Sequence, residues 1–392
     1  MIKRPHALNR VHNVFKVHPI AAILGPRQCG KTTLARMIAE HEHYTFFDLE
    51  NPVDVRRLST PMQALEGLSG LVVIDEVQRQ PSLFELLRVL VDRPLNKARF
   101  LLLGSASPRL VKDVSESLAG RIGFVDLSGF DLREVGVESL NRLWIRGGFP
   151  RSFLASGDSS SMIWREDFIR TFLERDIPQF GITIPAETLR RFWTMISHYH
   201  GQVWNAAEFA RSLGTSENTT RRYLDILAGT YMVRILPPWF ENISKRQVKA
   251  PKIYIRDNGV LHTLLQLSTR ADVQGHPKLG ASWEGFALEQ LLTLIETKDN
   301  YFWSTYSGAE LDLLVMIGGK RYGFEFKYSD APGHTRSMSV AIQNLGLEHL
   351  WVVYPGNQEY PLDAKSSVIP ASSIPILAEK ILKKGNYSER LR

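Results

Sequence analysis

A loop with glycine at its first and sixth positions, Gly25–Thr32, stands out near the start of the sequence. The residues before it, Pro19 to Leu24, are apolar enough for a buried strand, and those after it, through Ala39, have amphipathic helical spacing. The order G-x-x-x-x-G-K-T between a strand and a helix turns backbone N–H groups toward bound phosphates. The pattern therefore predicts an α/β domain with a parallel sheet and a nucleotide-binding P-loop.

The residue types in this loop suit a nucleotide triphosphate. The N-terminus of the following helix adds a positive dipole end, and Lys31 places its charge on the β and γ phosphates. Thr32 offers a hydroxyl ligand to Mg²⁺. Cys29 is the only cysteine of the chain, and we interpret it as a small filler residue. The predicted ATP-binding residues are Gly25, Pro26, Arg27, Gln28, Cys29, Gly30, Lys31, Thr32 and Thr33.

A second motif, Leu71–Glu76, is a continuous apolar run that ends in two acids. Such a run is typical of a strand that is buried on both faces of a parallel sheet. Asp75 at its tip is predicted to hold Mg²⁺, and Glu76 to polarise the attacking water. Because one acid cannot easily perform both tasks, the pair favours hydrolysis of ATP over binding alone.

Further apolar runs at Tyr44–Phe47, Arg99–Leu103 and Ile122–Leu127 predict the remaining strands of this sheet. Ser105 and Ser107 follow the second run, where a polar residue either senses the γ-phosphate or forms a simple turn.

Two arginines are candidates for an arginine finger that reaches a neighbouring subunit. Arg121 ends the segment Ser117–Arg121, and Arg109 is its rival. Arg121 fits equally well as a charge at the C-terminus of a helix. Assembly of several copies through the ATPase domain therefore remains an open hypothesis.

The middle of the chain has helical spacing in two places. Met162 to Asp176 places Trp164, Phe168 and Phe172 on one face, and we assign it to a helical lid. Arg146 before it either reaches the nucleotide or makes packing and turn contacts.

Two short helices joined by Gly214 follow, the first capped by Asn205. With strands at Tyr231–Leu236 and Lys252–Ile255 they indicate a winged helix. It either binds DNA or packs against the ATPase domain. The outward basic residues are Arg221, Arg222, Lys245, Arg246 and Lys249.

Near the C-terminus, Asp312, Glu325 and Lys327 follow the order of acids and lysine found in metal-dependent nucleases. The acids are expected on neighbouring strands, so that both bind one Mg²⁺, with Lys327 on the same face as Glu325. Glu284 lies on the preceding helix, predicted to be amphipathic from Ser282 to Ile295, and is a candidate third metal ligand. Trp303 and Tyr306 are expected in the core.

These motifs resemble two known families. The chain is similar to prokaryotic AAA-type ATPases with a C-terminal uncharacterised domain that has a restriction-endonuclease-like core, and its acid–lysine set resembles the PD-(D/E)xK nucleases, although Leu311 replaces the usual proline. The resemblance implies an AAA ATPase core, a helical lid with a winged helix, and a nuclease-like α/β domain. The stretches that carry it are Gly25–Thr32, Val73–Arg79, Leu103–Ser107, Ser117–Arg121, Arg146–Pro150 and Lys252–Asp257.

Length and charge complete the interpretation. A chain of 392 residues is long enough for several domains, and we expect boundaries at 1–140, 141–200, 201–268 and 269–392. The net charge of +7 favours DNA as a partner. No apolar run is long enough for a membrane span, so we expect a cytoplasmic protein without a membrane partner.

The leading hypothesis is an ATPase that acts on DNA and is coupled to a Mg²⁺-dependent nuclease. In one alternative, the nuclease fold only binds DNA or protein. In the other, the chain is a nucleotide-controlled protein-interaction module.

Overall fold

The computed structural model describes residues 2–40, 42–94, 96–105, 116–241 and 247–389, with only the backbone for 385–389. The chain divides into two units, Met1–Gly129 with Gly229–Tyr231, and Phe130–Ala228 with Met232–Arg392. Four residues singled out above, Ser107, Arg109, Lys245 and Arg246, lie outside the described residues.

The first unit is built on a parallel sheet in the order β2-β3-β4-β1-β5. Its central strands are apolar and largely buried on both faces, as is typical of a parallel sheet. This confirms the predicted parallel sheet. The strands are β1 (Ile20–Gly25), β2 (Tyr44–Asp48), β3 (Ser69–Asp75), β4 (Lys97–Ser105) and β5 (Ile122–Asp126).

One helix of this unit precedes β1, and the others lie between successive strands. The first helix after β1 begins at Lys31, where Gly30 adopts a left-handed conformation with φ of 100° that a residue with a side chain rarely takes. The helices are α1 (Pro5–Phe15), α2 (Lys31–Ala39), α3 (Pro52–Arg57), α4 (Pro61–Leu65) and α5 (Leu83–Val91), with a 3₁₀ turn at Val77–Arg79.

The second unit begins with helices that share an aromatic core. Phe168 stacks on Trp164 and Phe172 at centroid distances of 5.4 and 6.2 Å. The helix that carries Trp164 and Phe168 ends at Thr171, and a π-helical segment, Phe172–Asp176, continues from it. The helices are α6 (Leu132–Val135), α7 (Leu140–Arg146), α8 (Pro150–Phe153), α9 (Asp158–Thr171), α10 (Ile177–Gln179) and α11 (Ala186–His198), with a 3₁₀ turn at Val137–Ser139.

A small antiparallel sheet follows, in the order β6-β8-β7. Asn205 caps the first of two helices by accepting from the Glu208 N–H, and Gly214 ends that helix in a left-handed conformation, as predicted. Arg221 and Arg222 are exposed on the second helix. The elements are β6 (Gln202–Val203), α12 (Ala206–Leu213), α13 (Glu217–Gly229), β7 (Val233–Leu236) and β8 (Lys252–Ile255).

The C-terminal part of the second unit contains a mixed sheet in the order β13-β14-β12-β11-β10-β9. Strands β9 to β11 are antiparallel, whereas β11, β12 and β14 run parallel. The elements are α14 (Asn258–Leu264), α15 (Arg270–Gly275), α16 (Leu279–Ile295), β9 (Asn300–Ser304), β10 (Glu310–Ile317), β11 (Lys320–Phe326), α17 (Arg336–Leu345), β12 (His349–Tyr354), β13 (Tyr360–Pro361), β14 (Ser366–Pro370) and α18 (Ile374–Glu389), with a 3₁₀ turn at Ala371–Ser373.

Two expectations for this region were wrong. Helix α16 is buried on nearly all sides and is not amphipathic, because neighbouring elements of the second unit pack around it; for example, Trp283 meets Trp144 at a centroid distance of 5.5 Å. Tyr306 follows the end of β9 and is 63% exposed, whereas Trp303 within the strand is fully buried. The strand ends before Tyr306, so its ring is carried into a turn.

Candidate functional site

The backbone of the loop Gly25–Thr32 requires glycine at its first position. A Cβ atom on Gly25 would lie 2.0 Å from the Leu127 carbonyl oxygen, far inside van der Waals contact. Gln28 has a φ of 64°, a left-handed conformation that is uncommon for a residue with a side chain. The loop is therefore a tight backbone turn that is closely packed against the residue after β5.

The two chemically active side chains of the loop lie at the start of α2. Lys31 is 6% exposed, and its Nζ donates to the carbonyl oxygens of Gly25 at 3.1 Å and Pro26 at 2.8 Å. The Thr32 hydroxyl donates to Asp75 Oδ2 at 2.7 Å. The structure thus brings the loop and the tip of β3 together, as the two motifs predict.

The two acids at the end of β3 have different surroundings: Asp75 is buried, whereas Glu76 contacts Gln78 and Arg27. Burial raises the pKa of Asp75, although the Thr32 hydroxyl opposes this by donating to the carboxylate. Glu76 has a φ of 54° and accepts from the Gln78 side-chain amide. Arg27 of the loop lies 3.7 Å from the same Glu76 carboxylate. Asp75 therefore faces Thr32, and Glu76 is held by different partners.

Ser105 lies at the end of β4, directly beside Gly25 in the strand register. Its hydroxyl is buried and has no hydrogen-bond partner among the described residues. This position suits a polar group that faces a bound phosphate, and the sensing role of Ser105 stays a prediction.

Arg121 forms a two-point ion pair with Asp92, with Nε–Oδ1 and Nη2–Oδ2 distances of 2.7 and 2.8 Å. The guanidinium is therefore engaged within its own unit, and a finger role stays a prediction. Arg146 contacts Asp158 and the Ala155 carbonyl, which are turn contacts in its own unit.

Arg4 is a residue of this site that sequence reasoning missed. It is 5% exposed, and its guanidinium donates to the carbonyl oxygens of Cys29, Ser128 and Gly129 at 3.0 to 3.2 Å. Cys29 itself is buried, with Sγ 3.5 Å from the Leu127 carbonyl. Arg4 thereby joins the back of the loop to the segment after β5. Its only sequence signal was membership of a basic N-terminal stretch.

A second cluster lies on β10 and β11. Lys327 Nζ is 2.7 Å from Glu325 Oε2 and 3.6 Å from Asp312 Oδ2. Asp312 lies where the pairing of β10 with β9 shifts register, and its Oδ2 also accepts from the Phe326 N–H at 3.1 Å. The three residues predicted from the sequence therefore converge.

Glu284 on α16 belongs to the same cluster through two residues of β8 that sequence reasoning missed. Tyr254 donates to Glu284 Oε1 at 2.6 Å. Lys252 Nζ lies 3.4 Å from Glu284 Oε1 and 3.5 Å from Asp312 Oδ1. Two polar residues at alternate positions of a buried strand were the available signal.

The carboxylates of this cluster differ in their ease of protonation. Burial and the neighbouring Asp312 raise the pKa of Glu325 to about 8. Burial also raises the pKa of Glu284 to about 7. Burial acts in the same direction on Asp312, but Lys252 and Lys327 outweigh it and hold the pKa of Asp312 below its ordinary value.

Among the described residues, no three or more His, Cys, Asp or Glu side chains are arranged as a metal site. The metal-binding role of Thr32, Asp75, Glu284, Asp312 and Glu325 therefore stays a prediction. Within the same described ranges, no helix combines the length and apolar character that crossing a membrane requires.

Three family profiles match consecutive parts of the chain. An AAA domain matches residues 17–136. Two domains of unknown function match the rest: DUF8612 at residues 137–271, which includes β8, and DUF4143 at residues 279–374. The first match contains the loop and the acidic pair, and it identifies the first unit as an AAA-type P-loop ATPase fold. Asp312 and Glu325 lie within the third match, whereas Lys252 lies within the second.

Two relatives are similar over nearly the whole chain. The uncharacterized proteins Mb2031c of Mycobacterium bovis and Rv2008c of Mycobacterium tuberculosis are each 52% identical over 374 residues, covering 95% of this chain and 85% of theirs. The Walker-type ATPase PABY2304 of Pyrococcus abyssi is 15% identical with a TM-score of 0.48, covering 68% of this chain and 96% of that chain. The RuvB R170A structure of Thermotoga maritima is 17% identical with a TM-score of 0.32, covering 60% and 90% respectively. The sequence identities and TM-scores of these two structures are too low to support an inference about function.

Proposed function

We propose a function from the premise that this chain belongs to the family of the mycobacterial proteins Mb2031c and Rv2008c, and that its first unit is an AAA-type P-loop ATPase domain. The protein binds ATP at Gly25–Thr32, hydrolyses it, and uses the cycle to act on DNA. The observation that carries the ATPase proposal is the 2.7 Å hydrogen bond between Thr32 and Asp75, which joins the two motifs in one site.

The side chains of the site have separate tasks in this proposal. The turn at Gly25–Thr32 directs main-chain N–H groups at the phosphates, and Lys31 neutralises charge on the transferred group. Thr32 and Asp75 would hold Mg²⁺, which supplies further charge neutralisation when bound. Glu76 orients the attacking water for in-line displacement. The donor set, one hydroxyl and one carboxylate in contact, suits this hard cation.

ATP binding and phosphate release by three variants test this assignment. Lys31→Ala should abolish ATP binding, whereas Glu76→Gln should bind ATP and release phosphate about 10²-fold more slowly or worse. Lys97→Ala, an exposed lysine at the start of β4, is the control and should match the wild type. Normal phosphate release by Lys31→Ala would contradict the proposal.

DNA binding by the second unit rests on charge. Arg221, Arg222 and Lys249 are exposed, and the sequence carries a net charge of +7. In this proposal the helix α13 and the strands β7 and β8 form a winged helix that contacts phosphates. Binding should weaken with salt, and Arg221→Ala/Arg222→Ala should lower the salt slope by up to about 2. Absence of binding at low salt, together with an ATPase rate unaffected by DNA, would leave the protein-interaction alternative.

The second activity in the proposal is Mg²⁺-dependent cleavage of DNA in the C-terminal part. Glu325 Oε1 is buried and has no hydrogen-bond partner among the described residues, so this oxygen is available to a cation. Asp312 and Glu325 would hold the metal, which activates water when bound, and Lys327 would steady charge on the phosphate.

The alternative is a binding platform without cleavage, and the ion pairs of Lys252 with two of the acids favour it. A plasmid-cleavage assay separates the two. Nicking by the wild type that is lost in Asp312→Ala and Glu325→Ala supports a nuclease. A wild type that binds plasmid and leaves it intact supports the platform.

A further inference from the structure

Lys252 occupies the interior of the acidic cluster although it comes from a different part of the chain. It is the first residue of β8, the central strand of the small antiparallel sheet, and it is 6% exposed. Its ammonium lies between Glu284 on α16 and Asp312 on β10, at 3.4 and 3.5 Å. The aromatic ring of Phe302 on β9 lies 5.7 Å from the same ammonium.

Tyr254 fixes the acid that Lys252 meets. The tyrosine lies two positions along β8, so both side chains leave the same face of the strand. Its hydroxyl donates to Glu284 Oε1, the oxygen that also faces Lys252. The carboxylate is therefore held toward the lysine by a second residue of the same strand.

The net charge of the cluster determines how readily it can accept a divalent cation. When all are ionised, the three carboxylates of Glu284, Asp312 and Glu325 and the two ammonium groups of Lys252 and Lys327 leave a net charge of −1. A divalent cation added to this set would make the buried cluster positive, which costs free energy. Without Lys252 the cluster would carry −2 and would match the cation.

We propose that Lys252 is the resident cation of this cluster and competes with a divalent metal ion for Glu284 and Asp312. Strand β8 thereby controls metal loading, and a divalent ion binds Asp312 fully only when the ammonium moves aside. This inference rests on the proposed metal role of the cluster.

Calorimetric titration of Mn²⁺ into the nucleotide-free full chain tests the competition. Lys252→Met keeps a long unbranched side chain and removes its charge, and it should bind Mn²⁺ at least about tenfold more tightly than the wild type. The gain should disappear in Lys252→Met/Asp312→Asn, which places the bound ion in the cluster. Lys252→Arg keeps the charge and should show no gain.

Lys320→Met is the matched control. Lys320 lies on the same sheet as Asp312 and Glu325, but it is exposed and pairs with Glu348, so its replacement should leave Mn²⁺ affinity unchanged. Equal or weaker Mn²⁺ affinity in Lys252→Met than in the wild type overturns the proposal.

Reductive methylation of the wild type gives a measurement that needs no variant to fold. If Mn²⁺ displaces the ammonium, methylation of Lys252 should rise when Mn²⁺ is added, as read by mass spectrometry of its peptide. If Lys252→Met does not fold, this measurement replaces the titration, and unchanged methylation overturns the proposal.

DNA cleavage is scored separately. A gain in affinity without cleavage by any variant refutes the nuclease and leaves the role of Lys252 intact. Cleavage by the wild type without a gain refutes the role of Lys252 alone.

Discussion

Gly25 stands at a position where the fold leaves no room for a side chain. A Cβ atom there would lie 2.0 Å from the Leu127 carbonyl, and a main-chain atom cannot move aside cheaply. Gly25→Ala should therefore displace the loop and lower ATP affinity by about tenfold or more. Fluorescent-nucleotide binding measures this.

Gly67→Ala is the matched control, since nothing lies within 4 Å of its added Cβ. It should bind the fluorescent nucleotide as the wild type does. Unchanged affinity in Gly25→Ala would show that the loop tolerates the displacement.

Arg4 should matter for the same loop without touching nucleotide. Its guanidinium is bound to three carbonyl oxygens, one of them in the loop. Arg4→Ala removes these charge-assisted bonds, so we expect the loop to loosen and ATP affinity to fall several-fold, while a saturating ATP concentration restores phosphate release. Lys3→Ala, at an exposed neighbouring position, should behave as the wild type. A loss of phosphate release at saturating ATP would place Arg4 in the chemistry itself.

Residues differ in how well their roles could be predicted. Lys31, Thr32 and Asp75 were predictable because a local motif fixes their neighbours in the chain. Arg4 and Lys252 were not, because neither residue belongs to a motif that links it to its partners, which lie 25 or more positions away.

At the scale of elements, helix α16 is joined to the small sheet by charge. Glu289 on α16 is 6% exposed and pairs with Arg234 on β7 and with Arg256 just after β8. Burial alone would raise the pKa of Glu289, but the two guanidinium groups outweigh it and lower that pKa.

Glu289→Gln should lower the free energy of unfolding by about 3 kcal/mol, because it removes the charge of a buried carboxylate that two partly exposed guanidinium groups share. Urea denaturation at neutral pH measures this. Glu379→Gln, which removes an exposed pair with Lys383, is the control and should leave the midpoint unchanged.

The same pair predicts a pH dependence. A carboxylate whose folded pKa lies below its unfolded value of about 4.3 stabilises the protein above that pH. The contribution is lost as the pH falls through the folded pKa. The stability difference between wild type and Glu289→Gln should therefore shrink below about pH 4. A difference that stays constant down to pH 3 would contradict the assigned ion pair.

At the scale of the whole molecule, the strands of the P-loop unit and their parallel direction were predictable, because each strand is a short apolar run next to a turn or motif; their order in the sheet was not predicted. Helix α16 was mispredicted, because amphipathic spacing cannot show that residues far away in sequence, such as Trp144, cover its second side. The winged helix, the nuclease-like fold and the domain boundaries remain predictions.

The second unit should fold only as a whole. Trp144 donates to the Ser282 hydroxyl at 3.0 Å and packs against Trp283, so residues before 279 complete the core around α16. A fragment of residues 279–374 should be insoluble or unfolded by circular dichroism, whereas residues 130–392 should unfold cooperatively. A cooperative transition in the short fragment would contradict this.

The origin of Lys252 has a consequence for the exchange of parts between relatives. In a chimera of two relatives, a crossover at residue 279 would combine the three acids of one parent with the lysine of the other. Any mismatch in the position of the lysine side chain would leave a buried charge uncompensated. A crossover placed ahead of residue 252 would transfer both halves of the ionic set together. Chimeras that inherit strand and acids from one parent should therefore be the ones recovered as soluble protein.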